Sequence, residues 1–403
     1  MKLGVLLDRF DPARGGAEAH TDALLRRAVE RGFAPALACL EGMPPAGVRA
    51  IAVTAARGSR AVRDRALALD GERALRDAGC DRVFAIRHAL RCDVYLPHGG
   101  LVADAFAARD ACRGGVGPLT RFLRRFSGRR AFFDEAERAL LGSREGPVVV
   151  ALSQSLRGRI AVRYPAARGR ICVVQNGVDV ERFDPALFAA GRDATRRALG
   201  VPADAYVGLL LAHEPWLKGF GTLLDVLARQ DVRALSPAFH VIVAGRRAHG
   251  DLLRAASRRG AADRVHLAGV VPDARPLYAA ADVLCQPTWH DPCSLTSLEA
   301  LSMAVPVITT TRNGVTELMA MRGGIPVEQP SDVLGFAKAI EILAEPRIRK
   351  ETSDDARYVA KRNRLVTRLD QLLDVCVNLG PPKPPARLPS DQPPADPCLE
   401  NDA

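Results

Sequence analysis

Two carboxylates bracket the segment WHDPCSLTSLE at residues 289–299. Asp291 stands eight residues before Glu299, after the apolar run ADVLCQP and before the helix-like LTSLEALSMAV. Helix-start signals at Ser294 and Thr296 place Glu299 early in that helix. A carboxylate there can accept hydrogen bonds from two vicinal hydroxyls, as acidic residues do with a ribose. The amides of Cys293, Ser294, Leu295 and Thr296 would be free at the helix start and can meet phosphate or sugar oxygens. Asp291, in the loop, can grip another hydroxyl. Taken singly, each acid also reads as a turn residue or a helix-surface charge. Their pairing at a strand end is what points to a polar ligand.

Three further places carry chemistry-bearing residues just after an apolar run. In HEPWLKGFGTLL (213–224), Lys218 and Gly219 precede a helical pattern, where an ammonium can act as a point-charge clamp on a phosphate leaving group. A solvated surface lysine has the same signature. In LLDRFDPARGGAEAH, Gly15 and Gly16 precede a helix running to about Arg31, so backbone N–H groups can approach an anion closely. A plain strand-to-helix turn uses glycine too. This is not GxGxxG, and no acidic residue follows a second strand at the spacing a nicotinamide site needs. In DVYLPHGG (93–100), His98 can contact a substrate hydroxyl, act in proton transfer, or only satisfy a loop carbonyl.

Elements must bring these residues to one edge. Continuous apolar runs of strand length recur at 3–7, 34–40, 48–53, 82–86, 93–96, 148–153 and 171–175. They recur again at 206–212, 239–245, 264–269, 282–287, 305–310 and 324–327. Continuous rather than alternating runs fit strands covered on both faces, and helical patterns lie between them. The class is therefore α/β, with two doubly wound Rossmann-like domains of parallel strands. The expected boundaries are 1–180 for the first domain, 181–204 for the connection and 205–350 for the second domain. A helical segment follows at 351–379, then a tail at 380–403. That tail holds 8 of the chain's 28 prolines and is expected to be disordered. Ligands of such sheets sit outside the carboxyl ends of the strands, so two sheets would face each other across a cleft.

The bulk numbers limit the partners. The net charge of +11 suits nucleic acid, an anionic membrane surface or acidic small substrates. Aromatics are 5% and are not interleaved with basic runs, which argues against a nucleic-acid platform. The nine cysteines are odd in number and none has CxxC spacing, so neither zinc nor a disulfide framework is expected and a reducing cytosol is the default. The apolar start of MKLGVLLDRF is too short for a signal peptide, and no run approaches a membrane span. The stretch GPLTRFLRRFSGRRAFF (117–133) reads either as a basic membrane-surface element or as an ordinary helix with a core face.

In this order, RGGAEAHTDALLRRAVERGF, VVALSQSLRGRIAVRYP, RICVVQNGVDVERFDP, WLKGFGTLL and LYAAADVLCQPTWHDPCSLTSLEALSMAVPVITTTRNGVTEL resemble the family 4 retaining glycosyltransferases over about residues 1–345. The resemblance implies the GT-B fold, two Rossmann-like domains with the donor in the second. DVYLPHGG and HDPCSL resemble most the branch of the lipopolysaccharide core glucosyltransferases, which add a hexose to a heptose of the lipid-linked core. By this resemblance Glu299 holds the nucleotide ribose, and Asp291 contacts the donor sugar in place of a longer glutamate. Lys218 neutralises the donor diphosphate. Gly15 and Gly16 form the loop where donor and acceptor meet, and His98 lies on the acceptor side.

The implied donor is a nucleotide diphosphate sugar, a UDP-sugar foremost, used with retention and without a metal or other cofactor. The implied partner is a glycan or lipid-linked acceptor, and the implied place is the cytoplasm, with peripheral contact to the inner membrane. Three departures stand out. Ala212 replaces an arginine common six residues before the lysine, with Arg246 or Arg247 as a possible substitute. Ala304 stands where relatives usually carry glycine, and the first acid is Asp291. They keep open two other readings, a degenerate protein that binds nucleotide or glycan without turnover and a sugar-nucleotide epimerase.

Overall fold

The apolar runs become two parallel sheets, and their order decides where a ligand can sit. The computed structural model describes all residues except 14, 54–57, 88, 113–127, 246–249 and 381–403. The first sheet holds β1 (Lys2–Leu6), β2 (Ala34–Cys39), β3 (Arg49–Ala52), β4 (Arg82–Ala85), β5 (Val94–Tyr95), β6 (Val148–Ala151) and β7 (Ile171–Val173). Its order is β3-β2-β1-β4-β5-β6-β7, with every pair parallel. The second holds β8 (Tyr206–Leu211), β9 (Phe239–Ala244), β10 (Val265–Gly269), β11 (Val283–Gln286), β12 (Val307–Thr310) and β13 (Gly324–Val327). Its order is β10-β9-β8-β11-β12-β13, again all parallel. Each strand lies within or at the edge of one of the apolar runs, so the α/β reading with two doubly wound sheets holds.

The strand order reverses between β1 and β4 in the first sheet and between β8 and β11 in the second. At such a switch point the loops from neighbouring strands leave in opposite directions and open a crevice. The loops that leave there contain Gly15 and Gly16 after β1, Lys218 after β8 and Asp291 after β11.

Apolar packing joins the two halves. One contiguous core cluster includes Leu24, Leu25 and Phe84 beside the first sheet, Val207 and Leu284 in the second, and Leu369, Leu372 and Leu373 near the C-terminus. The last helix, Leu365–Val377, lies against the helix Gly16–Glu30 of the first domain. There the Arg27 guanidinium donates to both oxygens of Asp370, at 2.8 and 2.9 Å. Such a fork fixes orientation as well as distance. Arg357, in the helix Pro346–Arg362, donates to the carbonyls of Val180, Phe183 and Ser302 at 2.7–3.0 Å. It thereby ties the interdomain connection to the second domain.

Of the basic stretch 117–133, residues 117–127 lie outside the described residues, as do Arg246 and Arg247 and the proline-rich tail from 381. Residues 128–133 open the helix Gly128–Leu141. Within it Phe132 is buried beside Ala68, Leu90 and Ala136, and Arg129 pairs with Asp64 at 2.7 Å. This described part packs as an ordinary helix with a core face. Among the described residues no helix is long and apolar enough to cross a membrane.

Candidate active site

Gly219 fixes the first side of the site. It has φ +90°, and a Cβ there would lie 2.2 Å from the Pro287 carbonyl oxygen, so only glycine fits. This turn delivers the preceding Lys218 to the loop after β11. The Lys218 ammonium donates to Asp291 Oδ2 at 2.5 Å and to the His290 carbonyl at 3.3 Å. Both side chains of this pair are largely buried, at 19% and 13% exposure. Lys218 and Asp291, assigned from sequence to different parts of a donor, therefore meet each other here.

The Asp291 loop is held by a second loop, after β12. Asp291 N donates to the Arg312 carbonyl at 3.3 Å, and Gly314 N donates to the Asp291 carbonyl at 3.0 Å. Asn313 is fully buried between them. Its Oδ1 accepts from the amides of Ser294 and Val315, and its Nδ2 lies within 3.1–3.2 Å of Gln286, Ser297 and Thr309. Every polar atom of this amide is engaged, as burial demands.

Ser294 caps the helix Leu295–Ser302, its Oγ accepting from Ser297 N at 3.2 Å. The free-amide expectation needs one correction. Cys293 N donates to Asp291 Oδ1 at 3.2 Å and Ser294 N to Asn313, so both are used internally. The amides of Leu295 and Thr296, in the first helical turn, take no partner among the described residues, and the positive end of the helix lies with them.

Glu299 sits one turn further along, with Tyr278 OH donating to its Oε2 at 2.7 Å. Burial raises its carboxyl to about 7, against the opposing influence of Tyr278 and the Arg182 charge. A carboxylate partly screened from water in this way is poised to accept hydrogen bonds from a ligand.

The first domain supplies the opposite wall. Gly15, extended at φ −174°, starts the helix Gly16–Glu30. A Cβ on Gly16 would come 2.7 Å from Leu295 Cδ1, so the starts of these two helices approach each other from different domains. His98 follows β5, and its ring packs at 5.8 Å from the buried ring of His20. Burial lowers His98 to about 3, helped by His20 and Arg87, and lowers His20 to about 4. Both rings are neutral at physiological pH. Nε2 of His98 and both ring nitrogens of His20 have no hydrogen-bond partner among the described residues. A neutral imidazole of this kind can exchange a hydrogen bond with a hydroxyl. His290, from the Asp291 loop, crosses the interface to the Gly99 carbonyl at 2.8 Å. Gly100, at φ +75°, leaves room for that ring.

Ala212, where the resemblance implies an arginine, directly follows β8 and is buried. The next residue, His213, places Nδ1 2.8 Å from the Gly245 carbonyl, so Nδ1 carries the donated proton. Its Nε2 then faces Gly15, 3.6 Å from where a Cβ would stand. A cavity of ≈ 540 Å³ opens beside it, lined by Arg109, Glu214, Trp216 and Asp251. A smaller one of ≈ 240 Å³ lies at the edge of the first sheet, among Asp8, Arg9, Glu41 and Arg63. Neither is lined by Lys218 or Asp291.

Asn313, Tyr278, His20 and Glu317 were not assigned from sequence. The contacts that tie the first, second and fourth to other elements span 16 to 163 residues, and no local pattern encodes such contacts. His20 alone had a signal, its place within GGAEAH beside the glycine pair.

Two parallel Rossmann-like sheets facing across a crevice, with site residues from both switch points, define the GT-B class. Residues 205–345 match the model of "Glycosyl transferases group 1" and residues 14–182 that of "Glycosyltransferase Family 4". The chain belongs to the family 4 glycosyltransferases. It is 30% identical over 218 residues to a D-inositol 3-phosphate glycosyltransferase of Streptomyces avermitilis, covering 51% of this chain and 44% of the relative. It is 31% identical over 161 residues to the lipopolysaccharide core biosynthesis glycosyltransferase LpsE of Rhizobium meliloti, covering 40% and 46%. The matches thus span about half the length of these curated relatives. The fold is that of WaaG, a glycosyltransferase involved in lipopolysaccharide biosynthesis, with a TM-score of 0.79 at 19% identity over 93% of this chain and 100% of that one. Anabaena Alr3699/HepE, solved with UDP-glucose, gives 0.70 at 18% identity over 94% and 100%.

Proposed function

We propose that this glycosyltransferase moves a hexose from a nucleotide diphosphate sugar, a UDP-sugar foremost, to a hydroxyl of a glycan or lipid-linked acceptor, with retention of anomeric configuration. A step in lipopolysaccharide core or other cell-envelope glycan synthesis fits the likeness to LpsE. A cytoplasmic enzyme working at the inner membrane face is part of the same proposal. The observation that carries the reading is the meeting of Lys218, Asp291, the Ser294-capped helix and Glu299 at the switch point of the second sheet.

In this proposal Glu299 accepts from the ribose hydroxyls, displacing none of its own ligands except Tyr278. The amides of Leu295 and Thr296 and the helix dipole meet the diphosphate. Lys218 exchanges Asp291 for the departing phosphate, and Asp291, released, accepts from a hydroxyl of the donor sugar. His98 and the Gly15–Gly16 turn bound the acceptor side. Positive potential from the ammonium and amides stabilises the leaving diphosphate with no metal required.

The test is calorimetry with UDP-, GDP- and ADP-sugars in the presence of EDTA, followed by product analysis with candidate acceptors. One donor bound selectively and transferred with retained configuration supports the reading. Conversion of the donor without any acceptor would replace it with an epimerase. Nucleotide binding with no turnover would replace it with a non-catalytic binder.

A further inference from the structure

The helix Gln154–Arg163 of the first domain begins with amides that have no partner inside the helix. Ser153 Oγ accepts from Leu156 N at 3.1 Å. The other two are taken by a residue of the opposite domain. Glu317 Oε2 accepts from Gln154 N at 2.7 Å, and Oε1 accepts from Ser155 N at 2.8 Å. Gln175 Nε2 adds a longer contact at 3.4 Å. A carboxylate aligned on the positive end of a helix makes charge-assisted hydrogen bonds, the stronger kind.

Glu317 is wired to the donor side as well. It stands in the helix Val315–Met319, which begins directly after Asn313 and Gly314. Gly314 N donates to the Asp291 carbonyl, and Asn313 holds Ser294 N. A Cβ on Gly314 would lie 1.8 Å from the Pro292 carbonyl oxygen and 2.8 Å from Ser153 Cβ, so this loop is wedged between the Asp291 loop and the helix that Glu317 caps.

We infer that Glu317 is a positioning residue, a latch that closes the first domain on the second and in doing so seats the Asp291–Ser294 loop for transfer. It caps a helix of the first domain only when the domains are closed. Opening strands two amides and one carboxylate in water and removes the wedge behind Asp291. This rests on the proposed glycosyl transfer for its purpose, though not for its geometry.

Two variants test it from opposite sides. Glu317→Ala removes the acceptor. Gln154→Pro removes one donor at a first helical position, where proline is well tolerated and where extended Ser153 (φ −162°, ψ 160°) suits a following proline. Hydrogen exchange and small-angle scattering are read on the unliganded full chain. Both variants should enlarge the radius of gyration. In Glu317→Ala, exchange should rise about tenfold or more at residues 154–156 and also in the 289–296 loop. With the donor that wild type accepts, kcat should fall about tenfold while UDP affinity stays within about twofold, because the nucleotide contacts lie in the second domain. Unchanged scattering and exchange in both variants overturn the latch. Faster exchange at 154–156 with an unchanged 289–296 loop overturns its coupling to the site. If wild type binds no nucleotide sugar, the functional proposal falls, and the scattering and exchange results still decide the latch.

Discussion

Burial holds the Glu299 carboxyl at about 7, so at neutral pH it is only partly ionised. A buried acid whose folded value exceeds its unfolded one binds its proton more tightly in the folded state. Stability therefore falls as pH rises from 4.5 towards 7 and levels off above. Glu299→Gln removes that slope. Melting curves between pH 5 and 8 should show the variant more stable than wild type at pH 8, by about 1–3 kcal/mol, and near wild type at pH 5. The same substitution should weaken UDP binding by about 1–3 kcal/mol, because a charged acceptor to ribose is lost. Wild-type affinity should itself strengthen from pH 6 to 8 as the carboxylate forms. Wild-type binding flat across that range, read by calorimetry, would remove Glu299 from the ribose site.

Ala304 shows a sequence oddity resolved by its backbone. It stands where the family resemblance implies a glycine, and its φ is +55°. A left-handed conformation costs an alanine about 1–2 kcal/mol, part of which glycine gives back in chain entropy. Ala304→Gly should therefore raise stability in urea by up to about 1 kcal/mol with no change in the slope against urea. A loss of stability on that substitution would mean that the methyl group packs more usefully than the strain costs.

At the scale of elements, the strands were legible because a strand buried on both faces must be apolar along its whole length, as in YVGLLL and FHVIVA. The switch points followed from strand order, which no apolar run encodes. The helix start at Ser294 was legible from a cap residue ahead of an apolar pattern. What the same stretch hid was competition for its amides, since Asn313 claims Ser294 N from nineteen residues away. Lys218 was legible as a residue beside a turn, while its ion pair with Asp291 depends on the 73-residue separation closed by β8 and β11. The turn itself is the sensitive part. Gly219→Ala forces a methyl group onto the Pro287 carbonyl at a positive φ, so the loop must shift. A loss of about 2–4 kcal/mol in chemical denaturation is expected, together with loss of donor binding. Retained binding with full stability would show that Lys218 reaches its place without this turn.

For the whole molecule, the question is what keeps two sheets in one working geometry. The apolar cluster shared by both halves is part of the answer, and the returning C-terminal helix is another. Arg357 occupies the junction. Its guanidinium satisfies the carbonyls of Val180, Phe183 and Ser302 and pairs with Asp184 at 3.2 Å, all while only 18% exposed. Arg357→Met keeps much of the apolar stem and strands the Val180 and Ser302 carbonyls, whereas the Phe183 carbonyl keeps the Ser302 hydroxyl and Asp184, 39% exposed, turns to water. Each stranded carbonyl costs about 1–3 kcal/mol if water cannot reach it, and less where the junction opens to admit water. Scanning calorimetry should show a melting temperature several degrees lower, and the transition should broaden as the domains uncouple. The Asp291–Lys218 site, built wholly within the second domain, should still bind nucleotide at 25 °C with an affinity close to wild type. Transfer, which needs the first domain in register, should fall. An undisturbed single transition at the wild-type temperature would place the domain coupling in the apolar cluster and the Arg27–Asp370 fork instead.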